Sequence, residues 1–198
     1  MELRKFLEHM TQSPEVEIEW LDLLSQLEYV GCRKIVKGVP FTSVNADILQ
    51  HIFEEGLHAY LLKRLVENKG KQEFTWDSSE FSEIGWRYIQ QLDHEVAKLQ
   101  PEGAYPLVSW TIEQRVLAMY PIYLAMTKDA EVRDVISQIL IQEKRHGKQF
   151  AEMPFSAEQK TEALEIEKRL WSQFSEAIVS SLSTNPPQPE REAAPAFL

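Results

Sequence analysis

Two pairs of side chains in this sequence have a spacing that suits metal ligation. In the stretch DVISQILIQEKRHGKQF, residues 134–150, Glu143 and His146 lie three apart, so a helix places them on one face. The rest of that face is apolar: Ile139, Leu140, Gly147 and Phe150. A carboxylate inside an apolar stripe is costly unless a charge meets it. The stretch DILQHIFEEGLHAYLLKRL, residues 47–65, repeats the arrangement, with Glu55 and His58 three apart among Ile52, Ala59 and Leu62. Two Glu-x-x-His helices are half of a dinuclear metal site inside a helix bundle. The other half is one buried glutamate on each of two further helices.

Glu28 and Glu113 meet that requirement. Leu24 precedes Glu28 by four residues, and Gly31 and Cys32 follow by three and four. Trp110 precedes Glu113 by three, and Val116 and Leu117 follow by three and four. Glu15, Glu17, Glu131 and Glu162 sit instead at helix starts or on polar faces. Position along the helices is an independent check. Glu28 and Glu55 lie about 9 and about 11 residues from the turn between them, so their depths agree within about 3 Å. Glu113 and Glu143 each lie about 14 residues from the turn at Lys128. If the two hairpins dock with their turns at opposite ends, these depths sum to roughly 35 Å, the length of helices of ~24 residues. All four carboxylates then share one level.

The elements that must position them are legible in turn. Residues 1–14 form a short lead-in. Ser13-Pro14-Glu15 starts a first long helix, and Lys37-Gly38-Val39-Pro40 ends it. Thr42, Ser43 or Asn45 caps the second. A crossover carries its own helix over 77–100, opened by the capping box Asp77-Ser-Ser-Glu80. The third bundle helix begins near Pro106 and contains Pro121, which should kink it or loosen its last turns. Asp129 caps the fourth, and the box Ser156 to Gln159 opens a C-terminal helix over 154–183. Residues 184–198 form a polar, proline-rich tail expected to be disordered. The fold class expected is all-α: an up-down four-helix bundle over 15–153 with a helical crossover and an extra C-terminal helix.

Composition bounds the function. At 198 residues, 43% hydrophobic, the chain is long enough for a sizeable core. A net charge of -10 argues against nucleic acid and against anionic membrane surfaces as partners. The one cysteine, Cys32, permits no internal disulfide and no rubredoxin-type module. The opening residues MELRKFLEHMTQ lack the apolar core of a signal peptide, and no apolar run reaches membrane-spanning length. A cytoplasmic location is expected.

The order Glu28, Glu55-Gly-Leu-His58, crossover, Glu113, Glu143-Lys-Arg-His146 resembles the ferritin-like di-iron carboxylate proteins over about residues 15–153. The resemblance implies terminal roles for Glu28 with His58 and for Glu113 with His146, and bridging roles for Glu55 and Glu143. It implies two iron ions, or Fe/Mn or Mn; mixed oxygen and nitrogen ligands suit these metals. The pattern also departs from its relatives. Val116 stands where a rubrerythrin carries a further glutamate, and the crossover is longer than a ferritin shell subunit suggests. The function expected is therefore an oxidase or oxygenase that activates dioxygen or peroxide, with an unknown small-molecule substrate and an electron donor. A ferroxidase or metal-handling protein is the alternative. A metal-free helical interaction bundle, from another class altogether, is the third reading. A homodimer is kept open as the assembly. Around the site, His51 reads as a rim residue or a partner of the ligands, and Glu54 as a substitute for Glu55. Tyr29, Tyr60, Tyr120 and Tyr123 read as core and rim aromatics. Arg33, Arg115 and Arg145 read as partners of ligand carboxylates or of surface acids, and Cys32 as a small filler.

Overall fold

A computed structural model describes residues 1–70, 76, 79–100 and 104–184, and among these the chain is all-helical. Seven α-helices follow in order: α1 (Leu3–Met10), α2 (Pro14–Gly38), α3 (Ala46–Asn68), α4 (Glu80–Val96), α5 (Ala104–Met126), α6 (Ala130–Ala151) and α7 (Ala157–Thr184). A short 3-10 turn, Phe41–Ser43, joins α2 to α3.

Local chemistry sets the helix ends. The Ser13 side chain accepts a hydrogen bond from the Val16 amide, and Pro14 fills a first-turn position where no donor is needed. Of the three caps considered for α3, Asn45 is the one used, its Oδ1 accepting from Ile48 N at 2.9 Å. The chain leaves α3 through Gly70, whose φ of 102° is open to glycine and costly for most residues. Asp129 accepts from the amides of Glu131 and Val132 to start α6. Ser156 and Gln159 cap each other reciprocally, both bonds 3.0 Å, and so open α7. The crossover helix is shorter than the expected 77–100. Ser79 rather than Asp77 is its cap, accepting from Ser82 N, and Asp77 lies outside the described residues. The expected tail over 184–198 lies outside them too, apart from Thr184. Helix α5 starts at Ala104, two residues before Pro106, and passes through Pro121 to Met126.

Helices α2 and α3 pack as one hairpin and α5 and α6 as another. Their turns lie at opposite ends. Lys69, just past the end of α3, pairs with Asp129 at the start of α6. Tyr123, near the end of α5, donates to Glu17 at the start of α2 at 3.0 Å. Glu17, expected on a polar face, is therefore buried, because an aromatic hydroxyl reaches it. This arrangement requires the chain to travel the length of the bundle between α3 and α5, and α4 lies on that path.

Helix α5 is apolar nearly all round, and it touches α1, α2, α4, α6 and α7. Helices α1, α4 and α7 add a layer over α2 and α5. An aromatic cluster joins them: Phe6 meets Trp20 and Trp171 edge-on at 5.2 and 5.3 Å, and Tyr88 lies 5.0 Å from Phe174. The lead-in and the C-terminal helix thus share the core with the bundle. A buried ion pair ties the layer down. Arg115 on α5 gives Nε and Nη2 to the two oxygens of Glu167 on α7, at 2.8 and 2.6 Å, and Tyr88 Oη on α4 donates to the same carboxylate at 2.9 Å.

Removing one member of such a pair leaves the other without compensation. Glu167→Ala is expected to cost about 3 kcal/mol, the lower end for buried pairs because Arg115 keeps some solvent access. The double change Arg115→Met with Glu167→Leu is expected to recover most of that loss. Denaturant melts of the three proteins check it; a Glu167→Ala protein as stable as the parent would show that the pair does not tie the layer.

Candidate metal centre

The fold brings all six expected ligands into one volume halfway along the bundle. Glu28 comes from α2, Glu55 and His58 from α3, Glu113 from α5, and Glu143 and His146 from α6. Each is at least nine-tenths buried, and both histidines are fully so. His58 Nδ1 lies 2.9 Å from Glu143 Oε1 and 3.5 Å from Glu28 Oε2. His146 Nδ1 lies 3.1 Å from Glu143 Oε2, 3.4 Å from Glu55 Oε1 and 3.9 Å from Glu113 Oε1. Glu143 therefore turns one oxygen to each imidazole. Glu55 belongs to both of two groups whose donor atoms lie within 4.8 Å of one another: Glu28, Glu55, His58, Glu143 and His51, Glu55, Glu113, His146.

Each imidazole is held from behind. His58 Nε2 is 2.6 Å from Gln142 Oε1, and His146 Nε2 is 2.9 Å from Glu54 Oε2. Both partners are acceptors, so Nε2 carries a proton, and a ring that gave up its Nδ1 proton to a cation would turn that lone pair to the centre. Glu54 is fixed in turn by Arg145 and by Gln50 Nε2 at 3.1 Å. Glu54, the alternative to Glu55, is thus engaged outside the two groups that contain Glu55. Adjacent residues on a helix point about 100° apart, and here Glu55 takes the inner direction and Glu54 the outer. Gly31 on α2 makes room for Glu55: a Cβ there would stand 2.5 Å from Glu55 Oε2.

Tests of fit to a cation rest on what the carboxylates lack. Among the described residues no lysine or arginine pairs with Glu28, Glu55, Glu113 or Glu143. Arg115, considered as a partner of Glu113, binds Glu167; Arg145 binds Glu54; Arg33 lies over the Tyr29 ring. Glu113 Oε2 is buried without a hydrogen bond. Buried polar atoms are rarely left so. Two divalent cations would balance four carboxylates and take up that atom.

Without metal, protons do that work. Burial, with the charges of Glu143 and Glu55 added, pushes the Glu113 carboxyl well above its ordinary range. Burial also lifts Glu28 to about 7, against a partly offsetting bond to His58. Burial would depress the histidines, but carboxylates outweigh it: Glu143 and Glu28 hold His58 up at about 11, and Glu143 and Glu55 hold His146 at about 10. Glu143 is pushed up by burial but pulled further down by the two imidazoles, to well below the usual carboxylate range.

Several contacts were not evident from spacing. Tyr120, expected as an ordinary core aromatic, donates its buried hydroxyl to Glu28 Oε1 at 2.7 Å. Tyr29 and Tyr60 are largely exposed and stand outside the site. His51 is not a plain rim residue: its Nε2 is 3.1 Å from Glu55 Oε1. Cys32 packs beside α3 and donates weakly to Ile52 O at 3.5 Å. Glu167 could have been found by the criterion that found Glu28, since Ala163, Leu170 and Trp171 flank it at helical spacing.

A cavity of about 90 Å³ lies against Glu28, Glu55, Glu113 and Glu143. Its other walls are largely apolar, with Trp20, Ile89, Val116 and Met119 among them. Two cations reach it, and both are engaged: Lys34 with Asp93 and Arg115 with Glu167. No family model, curated protein or solved structure matches this chain.

Stability of the metal-free protein should fall as pH rises. Raised carboxyls stabilise fully below their unfolded value of 4.5, and that stability is lost as pH climbs through about 7 for Glu28. The histidine contribution is complete below 6.5 and is lost on the way to about 10 and 11. Denaturant melts from about pH 5 to about pH 9 measure the slope. Glu113→Gln should flatten it and leave the metal-free protein at least as stable at neutral pH, since Glu113 has an oxygen with no partner. Glu28→Ala should instead cost about 1–3 kcal/mol, because it strands the Tyr120 hydroxyl. A parent whose stability rises through this range would contradict the charge assignment.

Proposed function

We propose that the chain is a dinuclear non-haem iron (or Fe/Mn) oxidoreductase of ferritin-like type, acting on dioxygen or peroxide. The observation that carries the reading is the pair Glu55 and Glu143. Each faces both imidazoles or their groups, as a bridging ligand must, and among the described residues no lysine or arginine pairs with either. Glu28 with His58 would hold one metal and Glu113 with His146 the other. Bound iron would supply the electrons that reduce dioxygen.

The chain's own residues supply the rest. Gln142 and Glu54 keep the Nδ1 atoms of His58 and His146 aimed inward. Tyr120 donates its hydroxyl to Glu28, where it can stabilise charge on that carboxylate. Burial and the neighbouring carboxylates keep that hydroxyl protonated well beyond its ordinary range. Helices α4 and α7 give the cavity apolar walls through Ile89 and Trp171. About 90 Å³ holds dioxygen and a compact substrate fragment. Because Lys34 and Arg115 are already paired, that substrate fragment is uncharged.

Oxygen uptake by protein loaded with Fe(II) under anaerobic conditions tests the reading. An oxidase or oxygenase should consume dioxygen in one burst limited by the bound iron, then resume only when a reductant is added. Val116→Phe, which fills the cavity, should slow the burst at least about tenfold with metal content unchanged. Uptake that keeps step with each further addition of Fe(II) would favour a ferroxidase. No uptake by the iron-loaded protein would refute both readings.

A further inference from the structure

Six ligands divide evenly between two metals, but the side chains around the site do not. On the Glu113 side stands a third imidazole. His51 lies on α3 one turn before Glu55, on the face that carries Glu55 and His58. Its side chain is nearly nine-tenths buried, and its Nε2 comes within 3.1 Å of Glu55 Oε1. Its ring lies against that of His146, centroids 3.9 Å apart and planes 38° from parallel. Phe150 closes the outer side with an edge contact at 5.5 Å. No comparable histidine stands beside Glu28 and His58.

We propose that His51 is a third nitrogen ligand, so that the two metal positions differ. The inference rests on the dinuclear reading given above. One position has Glu28, His58 and the shared carboxylates Glu55 and Glu143. The other has Glu113, His146, His51 and the same shared pair. Two observations carry this beyond proximity. Donor atoms of His51, Glu55, Glu113 and His146 lie within 4.8 Å of one another, the same closeness that gathers Glu28, Glu55, His58 and Glu143. Glu113 in this group keeps a buried oxygen without a partner, so the group converges on a point where a polar ligand is missing.

The packing explains why His51 is placed to ligate rather than to cap. Two imidazoles in face contact repel if both are charged, and a shared cation turns that repulsion into common coordination. The cavity lining includes Glu28, Glu55, Glu113 and Glu143 and not His51. With His51 added, a metal held by Glu113 and His146 would have one more nitrogen donor than a metal held by Glu28 and His58. The Glu28 position, beside Tyr120, would be the one with fewer protein ligands and so the one with room for a small molecule.

X-ray absorption of Co(II)-loaded protein tests this, because ring scattering counts imidazoles per metal without any turnover. The parent should show three imidazoles shared between two cobalt ions. His51→Ala and His51→Gln should each show two, and chelator competition should find one site weakened at least about tenfold while the other is unchanged. His51→Gln keeps a donor for Glu55, so it separates ligation from orientation. A parent with two imidazoles, or a His51→Gln protein with parental affinity, would overturn the proposal and leave the dinuclear site standing. Cobalt absent from folded parent protein would remove the site itself and the proposal with it.

Discussion

Four carboxylates and two imidazoles share one buried volume with no lysine or arginine pairing with those carboxylates among the described residues, and the rest of the structure answers to that. Taking a carboxylate out of water costs several kcal/mol unless a countercharge meets it. Here the countercharge available to the metal-free protein is borrowed from protons on His58, His146, Glu113 and, in part, Glu28. Such a site is poised rather than comfortable. A pair of divalent cations would release those protons and take over their role. This is why the site reads as functional: a bundle under selection for stability alone has cheaper residues for its middle.

The groups near the site fix its side chains in place. Gln142 and Glu54 fix the imidazoles; Arg145 and Gln50 fix Glu54; Gly31 lets α2 approach α3 closely enough to seat Glu55. Further out, α4 and α7 cover the cavity side, and the buried contacts among Tyr88, Arg115 and Glu167 pin them to α5. The cavity is lined by the four carboxylates and by largely apolar walls, and the imidazoles are not part of its lining. The paired state of Arg115 matters there, since a free guanidinium would attract an anion into the pocket.

Much of this was legible from residues alone. The helices follow from strong periodicity and clear caps, and the gathering of six glutamate and histidine side chains from acids inside apolar stripes with their depths compared. Spacing along a helix is a local property, and these are local features. What could not be read was anything that depends on which side of a helix meets which neighbour. Glu54 and Glu55 differ by one position, and only the packing of α3 against α6 says which looks inward. Glu17 sits in the first turn of its helix like many solvent-facing acids, yet Tyr123 buries it. Tyr120 shares a helix with Glu113 but serves Glu28, across the bundle. Arg115 chose between two acids, and the winner, Glu167, lies on the C-terminal helix, beyond the stretch that carries the ligand motif.

The central claim is that the six side chains hold two metal ions close together, and one determination addresses it directly. Protein purified without chelator, loaded anaerobically with Fe(II) and freed of excess by dialysis, is analysed for iron per chain and for magnetic coupling between the ions. The account predicts two irons per chain, about 3.5–4 Å apart and therefore coupled. Iron well below two per folded chain, or two irons without coupling, would contradict it.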